Sequence, residues 1–257
     1  MDWFARRSSR TQAGAAERPR VMLWPDTFNN YFHPGTAIAA VELLEDAGCD
    51  VIMPSRPLCC GRPLYDYGFL TAAKRYLCEI LDELRPPLEA GTPIVVLEPS
   101  CLAVFRDELP NLFPDDDGAR RLSKQSMLLA EFLATVPGYR PPRLAGRVMV
   151  HGHCHQKALA QMDDERALLE QTGAEVEVLD AGCCGMAGSF GFEADHYDVA
   201  VAAGELALLP AVRAAAADTV IVADGFSCRE QIAQCTTRRA VHLADVLRSA
   251  LGDSRRV

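Results

Sequence analysis

Residues 168–185 read LLEQTGAEVEVLDAGCCG, and residues 43–61 read LLEDAGCDVIMPSRPLCCG. In each stretch, the end of an amphipathic helical pattern is followed by a glycine, a short apolar run and the triplet Cys-Cys-Gly. Gly48 and Gly173 stand where a C-terminal glycine ends a helix, and the apolar runs after them have the length of a buried strand. A unit of helix, strand and paired thiols therefore occurs twice in the chain.

Three further pairs of blocks recur in the same order, about 114–127 residues apart: VMLWPDTFNNYF (21–32) with VMVHGHCHQKAL (148–159), IVVLEPSC (94–101) with VIVADGFSC (220–228), and LAEFL (129–133) with LADVL (243–247). Matching blocks in one order indicate a tandem duplication. We predict a flexible leader or linker over residues 1–20, a first repeat over 21–140 and a second repeat over 147–252.

Within each repeat, three short apolar runs alternate with helical patterns. The runs are Val21–Trp24, Val51–Met53 and Ile94–Leu97, and then Val148–Val150, Val176–Leu179 and Val220–Val222. This alternation is typical of parallel βαβ units with right-handed crossovers. The predicted fold class is α/β, with two tandem-duplicated α/β lobes whose short parallel sheets are related by a pseudo-twofold axis.

The composition excludes several classes of protein. A net charge of −9 disfavours nucleic-acid binding, which needs clustered Lys and Arg. The most apolar stretch, residues 199–217, is interrupted by Glu205, Pro210 and Arg213 and is not a membrane span. The start of the chain lacks the apolar segment of a secretory signal, so we expect a cytoplasmic location, with contact to the inner face of a membrane only through partners. In that reducing compartment the 10 cysteines are expected to be free thiols or metal ligands.

Four cysteines of the second repeat follow its three predicted strands. Cys154 comes after the first strand, Cys183 and Cys184 after the second, and Cys228 after the third. The carboxyl ends of parallel strands meet at one edge of a sheet, so these four thiols are expected to converge. Convergent thiols in a reducing compartment indicate a soft-metal site, either iron–sulfur or zinc. Adjacent cysteines argue against a simple zinc knuckle, whose thiols are separated by two to four residues.

The first repeat has a smaller set of thiols. Cys59, Cys60 and Cys101 stand in matching places, but Thr27 occupies the position of Cys154. This second metal site, iron–sulfur or zinc, needs a fourth ligand from His33, water or a partner, and the alternative is a vestigial site.

The remaining thiols and the histidines beside Cys154 are interpreted as structural. The thiols are Cys49, Cys78 and Cys235. The histidines are His151, His153 and His155, for which metal ligation or donation to a cluster sulfur is the alternative to an ordinary hydrogen-bonded or exposed side chain.

The spacing Cys–x28–Cys-Cys-Gly–x42–Cys, counted from Cys154 to Cys228, resembles the cysteine-rich CCG domain family. That family includes the B subunit of heterodisulfide reductase, lactate-utilisation proteins, and the iron–sulfur subunits of glycolate oxidase and anaerobic glycerol-3-phosphate dehydrogenase. Stretches such as CCGRPLYDYG (59–68), HGHCHQKA (151–158) and ADGFSCREQI (223–232) are most similar to the C-terminal iron–sulfur portion of FAD-binding D-lactate or 2-hydroxyacid dehydrogenases.

The resemblance implies an iron–sulfur electron-transfer subunit or module of a flavin-dependent 2-hydroxyacid dehydrogenase of the glycolate or D-lactate type. It implies a 4Fe–4S cluster on Cys154, Cys183, Cys184 and Cys228. FAD would be bound only by a partner dehydrogenase chain. Electrons would arrive directly or through a ferredoxin-type iron–sulfur module and leave to a quinone, a membrane-associated acceptor or another carrier.

The chain departs from the fullest family pattern, in which each half ends in Cys-x-x-Cys. Val104 and Gln231 occupy the last of these places, which disfavours an unusual noncubane cluster. Two alternatives remain open: a heterodisulfide-reductase-like catalytic iron–sulfur subunit and a zinc-stabilised, non-catalytic interaction subunit.

Overall fold

The computed structural model describes residues 18–254. The predicted leader lies mainly outside the described residues, and its last residue, Arg20, is the first residue of a strand. No helix within the described range is long and apolar enough to cross a membrane.

The first half contains four strands, eight helices and one π-helical turn. In chain order they are β1 (Arg20–Trp24), α1 (Thr27–Tyr31), α2 (Pro34–Asp46), β2 (Asp50–Ile52), α3 (Arg62–Asp66), α4 (Leu70–Glu89), β3 (Ile94–Val96), α5 (Pro99–Ala103), the π-helical turn (Val104–Glu108), α6 (Leu109–Leu112), α7 (Asp117–Gln125), β4 (Ser126–Leu128) and α8 (Leu129–Thr135).

The second half repeats this plan with shorter helices after its second strand. Its elements are β5 (Arg147–Val150), α9 (Cys154–Leu159), α10 (Asp163–Gln171), β6 (Glu175–Val178), two 3₁₀ turns (Phe190–Phe192 and Ala194–His196), α11 (Tyr197–Glu205), α12 (Leu208–Ala214), β7 (Val220–Val222), α13 (Phe226–Cys235), β8 (Ala240–Val241) and α14 (Leu243–Ser254).

Both halves build a four-stranded parallel sheet with equivalent strand order. The orders are β2-β1-β3-β4 and β6-β5-β7-β8. Gly48 and Gly173 follow α2 and α10 with φ of 85° and 93°, in agreement with the predicted helix-ending glycines. The predicted α/β fold of two duplicated lobes is confirmed. The fourth strand of each sheet, β4 (Ser-Met-Leu) or β8 (Ala-Val), was not predicted from sequence, because neither is a run of β-branched residues.

Alternate residues of the first strand face two different cores. Val21 and Leu23 point into a core that both halves share, whereas Met22 and Trp24 point into a core of the first half alone. The two-residue period of a strand buried on both faces explains why this run is continuously apolar.

The two halves pack on each other reciprocally. Helix α2 of the first half contacts α14 of the second, and α8 of the first half contacts α10 of the second. Thr36 Oγ1 donates to Asp245 Oδ2 over 2.8 Å, and Arg248 Nε donates to Glu42 Oε2 over 2.6 Å. Helices α2 and α10 occupy equivalent places in the two halves, as do α8 and α14, so the two helix contacts are related as a pseudo-twofold axis requires. The boundaries at 21–140 and 147–252 stay a prediction.

Candidate metal centre

The seven cysteines that the sequence assigns to two metal sites line a single cavity between the halves. Its volume is about 540 Å³, and its thiols are those of Cys59, Cys60, Cys101, Cys154, Cys183, Cys184 and Cys228. The carboxyl ends of both sheets therefore open toward the same space. The sequence predicts one group of thiols in each half, but it does not predict that the groups meet.

The other three cysteines lie outside this cavity lining. Cys49 is buried in the core shared by the halves, Cys78 is exposed on α4, and Cys235 is half-buried at the end of α13.

The four thiols of the second half that line the cavity lie close enough to shift one another's pKa, Cys154 with Cys183, Cys183 with Cys184, and Cys184 with Cys228. Bonds from Cys154 and from Cys184 lower the pKa of Cys183, and donation to Cys183 raises the pKa of Cys154 and of Cys184. Cys228 also has a lowered pKa, chiefly because it accepts a bond from Cys184. Negative charge is thus favoured on Cys183 and Cys228. Cys154 and Cys184 keep their protons, which a bound metal would displace.

The three thiols of the first half are equally close together. Cys60 and Cys101 have their Sγ atoms 3.0 Å apart. The bond between Cys59 and Cys60, together with burial, raises the pKa of Cys59, whose thiol also contacts Thr27. The bond from Cys60 lowers the pKa of Cys101, but burial and the charges of Asp26 and Glu98 outweigh it, so the net shift is upward.

The paired cysteines lie on an irregular bend, which the glycine after them makes possible. Gly61 has φ of 77° and Gly185 has φ of 97°, both in the left-handed region that favours glycine. Gly185 also donates its N–H to Cys183 Sγ over 3.3 Å. The two glycines differ in the space around them. A Cβ atom on Gly185 would lie 1.9 Å from the backbone oxygen of Ala200, whereas on Gly61 it would meet nothing closer than 3.5 Å.

The histidines that flank Cys154 are more enclosed than the sequence indicates. His151 is only 1% exposed, and neither of its ring nitrogens has a hydrogen-bond partner among the described residues. The Nδ1 atom of His153 lies 3.8 Å from Cys154 Sγ, and the ligand atoms of His153, Cys154 and His155 all lie within 4.8 Å of one another. These imidazoles are therefore further candidate donors to a metal or to a metal-bound sulfur.

Arg62 joins the halves at the wall of the cavity. Its guanidinium pairs with Glu108 and with Asp66, and it donates to His155 Nε2 over 2.8 Å. Burial, followed by the charges of Arg62 and His153, lowers the pKa of His155 to about 4, so its imidazole is neutral and can accept this bond.

The positions that lack an expected thiol are occupied by well-packed side chains. Thr27 is the first residue of α1, as Cys154 is of α9. Gln231 is fully buried and donates to the backbone oxygen of Ala200 over 3.0 Å. His33, suggested as a fourth ligand, is not among the residues that line the cavity, and its Nε2 lies 3.3 Å from a Glu230 carboxylate oxygen.

Comparison with known families agrees with this geometry. The cysteine-rich domain named CCG matches residues 26–106 and 148–233, one segment in each half. The chain belongs to the CCG cysteine-rich domain family. The two CCG segments contain all seven cysteines that line the cavity. A domain of this kind implies a metal or iron–sulfur cofactor.

Three curated relatives match this chain, and each match covers only part of the relative's own length. The C subunit of anaerobic glycerol-3-phosphate dehydrogenase from Escherichia coli (strain K12) is 28% identical over 246 residues, which cover 92% of this chain and 60% of that protein. Lactate utilization protein A of Bacillus velezensis is 30% identical over 181 residues, covering 66% of this chain and 74% of that protein. D-2-hydroxyglutarate dehydrogenase of Pseudomonas putida is 26% identical over 235 residues, covering 90% of this chain and 22% of that protein.

The two Cys-Cys-Gly bends are expected to respond differently to an added methyl group. Gly61→Ala should lower the free energy of unfolding by about 1 kcal/mol, because alanine disfavours positive φ but has room. Gly185→Ala should cost more than about 3 kcal/mol or prevent folding, because the backbone of α11 must also move. Urea denaturation of both variants under reducing conditions measures the difference, and equal losses would contradict the close approach at Gly185.

Proposed function

We propose that this chain is an iron–sulfur electron-transfer subunit or module of a flavin-dependent 2-hydroxyacid dehydrogenase. The observation that carries the proposal is the convergence of seven free thiols on one cavity, four of them from the second half. The names of the relatives support it, since two are a dehydrogenase or a dehydrogenase subunit and the third is a lactate utilization protein.

The second half has the residues to hold a 4Fe–4S cluster. Such a cluster takes four thiolates, which Cys154, Cys183, Cys184 and Cys228 would supply. These four thiols lie close enough together to shift one another's pKa. The unpartnered ring nitrogens of His151 agree with a group that lies beside them and accepts a hydrogen bond. When bound, the cluster would take up and release one electron at a time.

The protein around this site would hold the ligands and set the potential. Cys154 and Cys228 lie in the first turns of α9 and α13, where free backbone N–H groups favour negative charge on sulfur. Cys228 is 1% exposed and Cys184 is 3% exposed, so both thiols are shielded from water. Low exposure and hydrogen bonds to sulfur are two of the features that tune cluster potentials.

The first half offers a poorer site for an anionic cluster. It has three thiols, and the buried carboxylates of Asp26 and Glu98 act on Cys101. Burial, and then the charge of Glu98, raises the pKa of Asp26 to about 6, because further negative charge is unfavourable at this place. We therefore assign the principal cluster to the second half, and we assign zinc or a cluster with an additional ligand to the first.

The partner that delivers electrons is proposed to be a flavin-containing dehydrogenase chain. Exposed aromatic side chains lie around the cavity and form an aromatic rim, defined here as Tyr31, Phe32, Tyr67 and Phe192. Phe192 lines the cavity itself, and Tyr31 lines the adjoining one beside Cys59. Exposed aromatic patches mark protein interfaces, and docking at this rim would bring a flavin near the thiols. A quinone or another carrier is the proposed acceptor.

Cluster assembly tests the function directly. Cys228→Ser should abolish the second-half cluster, because serine oxygen is a poor substitute for a thiolate on iron. In anaerobically reconstituted protein, we expect iron and acid-labile sulfide to fall by at least half and the EPR signal of the reduced cluster to disappear. Cys78→Ser, on an exposed thiol outside the cavity lining, is the matched control.

Two results of this test would favour the alternatives. Stoichiometric zinc without sulfide in the unaltered protein would support a zinc-stabilised interaction subunit and reject the electron-transfer role. A cluster spectrum that changes when thiols or disulfides are added would instead support heterodisulfide-reductase-like catalysis.

A fourth thiol in the first half is expected to increase its metal content. Thr27 contacts Cys59 and occupies the place of Cys154, so Thr27→Cys completes a four-thiol set. We expect bound iron in the reconstituted protein to rise by about half or more, since a second cluster can form. Thr27→Ser keeps a hydroxyl and serves as the control; equal iron in both variants, at about four atoms per chain or fewer, would show that the first half does not hold a 4Fe–4S cluster.

The partner can be tested by co-expression of this chain with a flavin-containing 2-hydroxyacid dehydrogenase chain. Glycolate or D-lactate should then reduce the cluster only when both chains are present. Phe192→Ser in the aromatic rim should slow this reduction at least fivefold with unchanged iron content, because contact area at the interface is lost. Leu206→Ser, on a side chain that is 86% exposed and outside the rim, should leave the rate unchanged. Reduction by the hydroxyacid without the partner would reject this arrangement.

A further inference from the structure

The helix that carries Cys228 begins without a cap from its own half. Gly225 precedes α13 and has no side chain to bond the free N–H groups. A Cβ atom there would lie 2.3 Å from the His153 ring and 3.3 Å from Cys228 Sγ. Close packing at the second-half site therefore excludes the residues that normally cap a helix.

The equivalent position in the first half is Glu98, and its carboxylate serves both helices. Oε1 accepts from Ser100 N over 3.2 Å and from Ser100 Oγ over 2.8 Å, which caps α5, the helix that carries Cys101. Oε2 accepts from the backbone N–H of Phe226 over 2.9 Å, the first residue of α13. Glu98 is 2% exposed, so both bonds are shielded from water.

We propose that Glu98 is a positioning residue that fixes the helix of Cys101 and the helix of Cys228 relative to each other across the two halves. Each cysteine is the third residue of its helix. A shift of either helix start thus moves a candidate ligand. The single carboxylate also places a buried negative charge beside Cys101 and at the start of the helix of Cys228. Its effect on helix position is independent of any bound group, whereas its effect on a cluster potential rests on the proposed function.

Other contacts hold the halves together when this carboxylate is replaced. His242 Nε2 bonds the backbone oxygen of Leu97 over 3.0 Å, and the rings of Phe28 and Phe226 stack with centroids 4.1 Å apart. Glu98 is not one of the side chains of the shared apolar core. A Glu98 variant should therefore fold, with its effect confined to α5 and α13.

Hydrogen exchange of the metal-free protein tests the positioning. Glu98→Ala should accelerate exchange of the backbone amides of residues 226–229 roughly 10-fold, because a buried hydrogen bond to a carboxylate is lost. Glu131→Ala is the matched control. Its carboxylate caps α8 by accepting from Leu128 N over 2.7 Å and bonds only groups of the first half, so exchange at 226–229 should stay within about twofold.

Glu98→Gln provides a second variant of nearly the same size, and it decides the outcome if Glu98→Ala does not fold. Its one oxygen cannot serve both helices, so exchange must still increase in α5 or in α13. In reconstituted protein, the midpoint potential of the cluster should become more positive in Glu98→Gln and stay unchanged in Glu131→Gln, since loss of a buried negative charge favours the reduced state.

Unchanged exchange in both helices of the Glu98 variants overturns the positioning role, whatever metal the protein holds. An unchanged potential in Glu98→Gln overturns the electrostatic part of the inference. The absence of a cluster from the unaltered protein would reject the proposed function, while the exchange experiment would still decide the role of Glu98.

Discussion

The apolar core shared by the two halves is the constraint on which the rest of the structure depends. Helix α2 packs on α14 and helix α8 packs on α10, so each half covers apolar surface of the other. Burial of apolar surface is worth about 25 cal/mol per Å², and few polar bonds across a boundary can match a core of this extent. This packing turns the carboxyl ends of both sheets toward one cavity, and the chemistry of the site follows from that placement.

Seven thiols share one cavity, and the surroundings of the thiols favour ionisation to different extents in the two halves. Burial opposes ionisation of each thiol, and a thiolate beside another thiolate is opposed by charge repulsion. In the second half, Cys228 accepts a bond from Cys184 and is flanked by imidazoles, which favour its negative charge. In the first half, Cys101 is flanked by the carboxylates of Asp26 and Glu98, which oppose it. The second half is therefore better prepared to bind a cationic group through thiolates.

Much of the fold and of the thiol positions could be predicted from the sequence, because both depend on local pattern and on duplication. Apolar runs, helix-ending glycines and the Cys-Cys-Gly triplets all recur at fixed places, and parallel strands oblige the residues after them to share an edge. What could not be predicted depends on packing between the halves: the single cavity and the bond from Phe226 N–H to Glu98. These features join residues more than 100 positions apart, and no periodicity in one segment encodes such a partner.

The two halves differ in a second feature besides the number of thiols that line the cavity. The first half lacks the thiol that Thr27 replaces, and the second half lacks the cap that Gly225 replaces. The second loss is a consequence of a tight site, because His153 and Cys228 occupy the space that a capping side chain would need. The first half supplies that cap through Glu98. The same carboxylate is a buried charge that opposes ionisation of Cys101. The carboxylate that accepts from the start of α13 thus adds negative charge beside the thiols of the first half, and one side chain links the surroundings of the two sets of thiols.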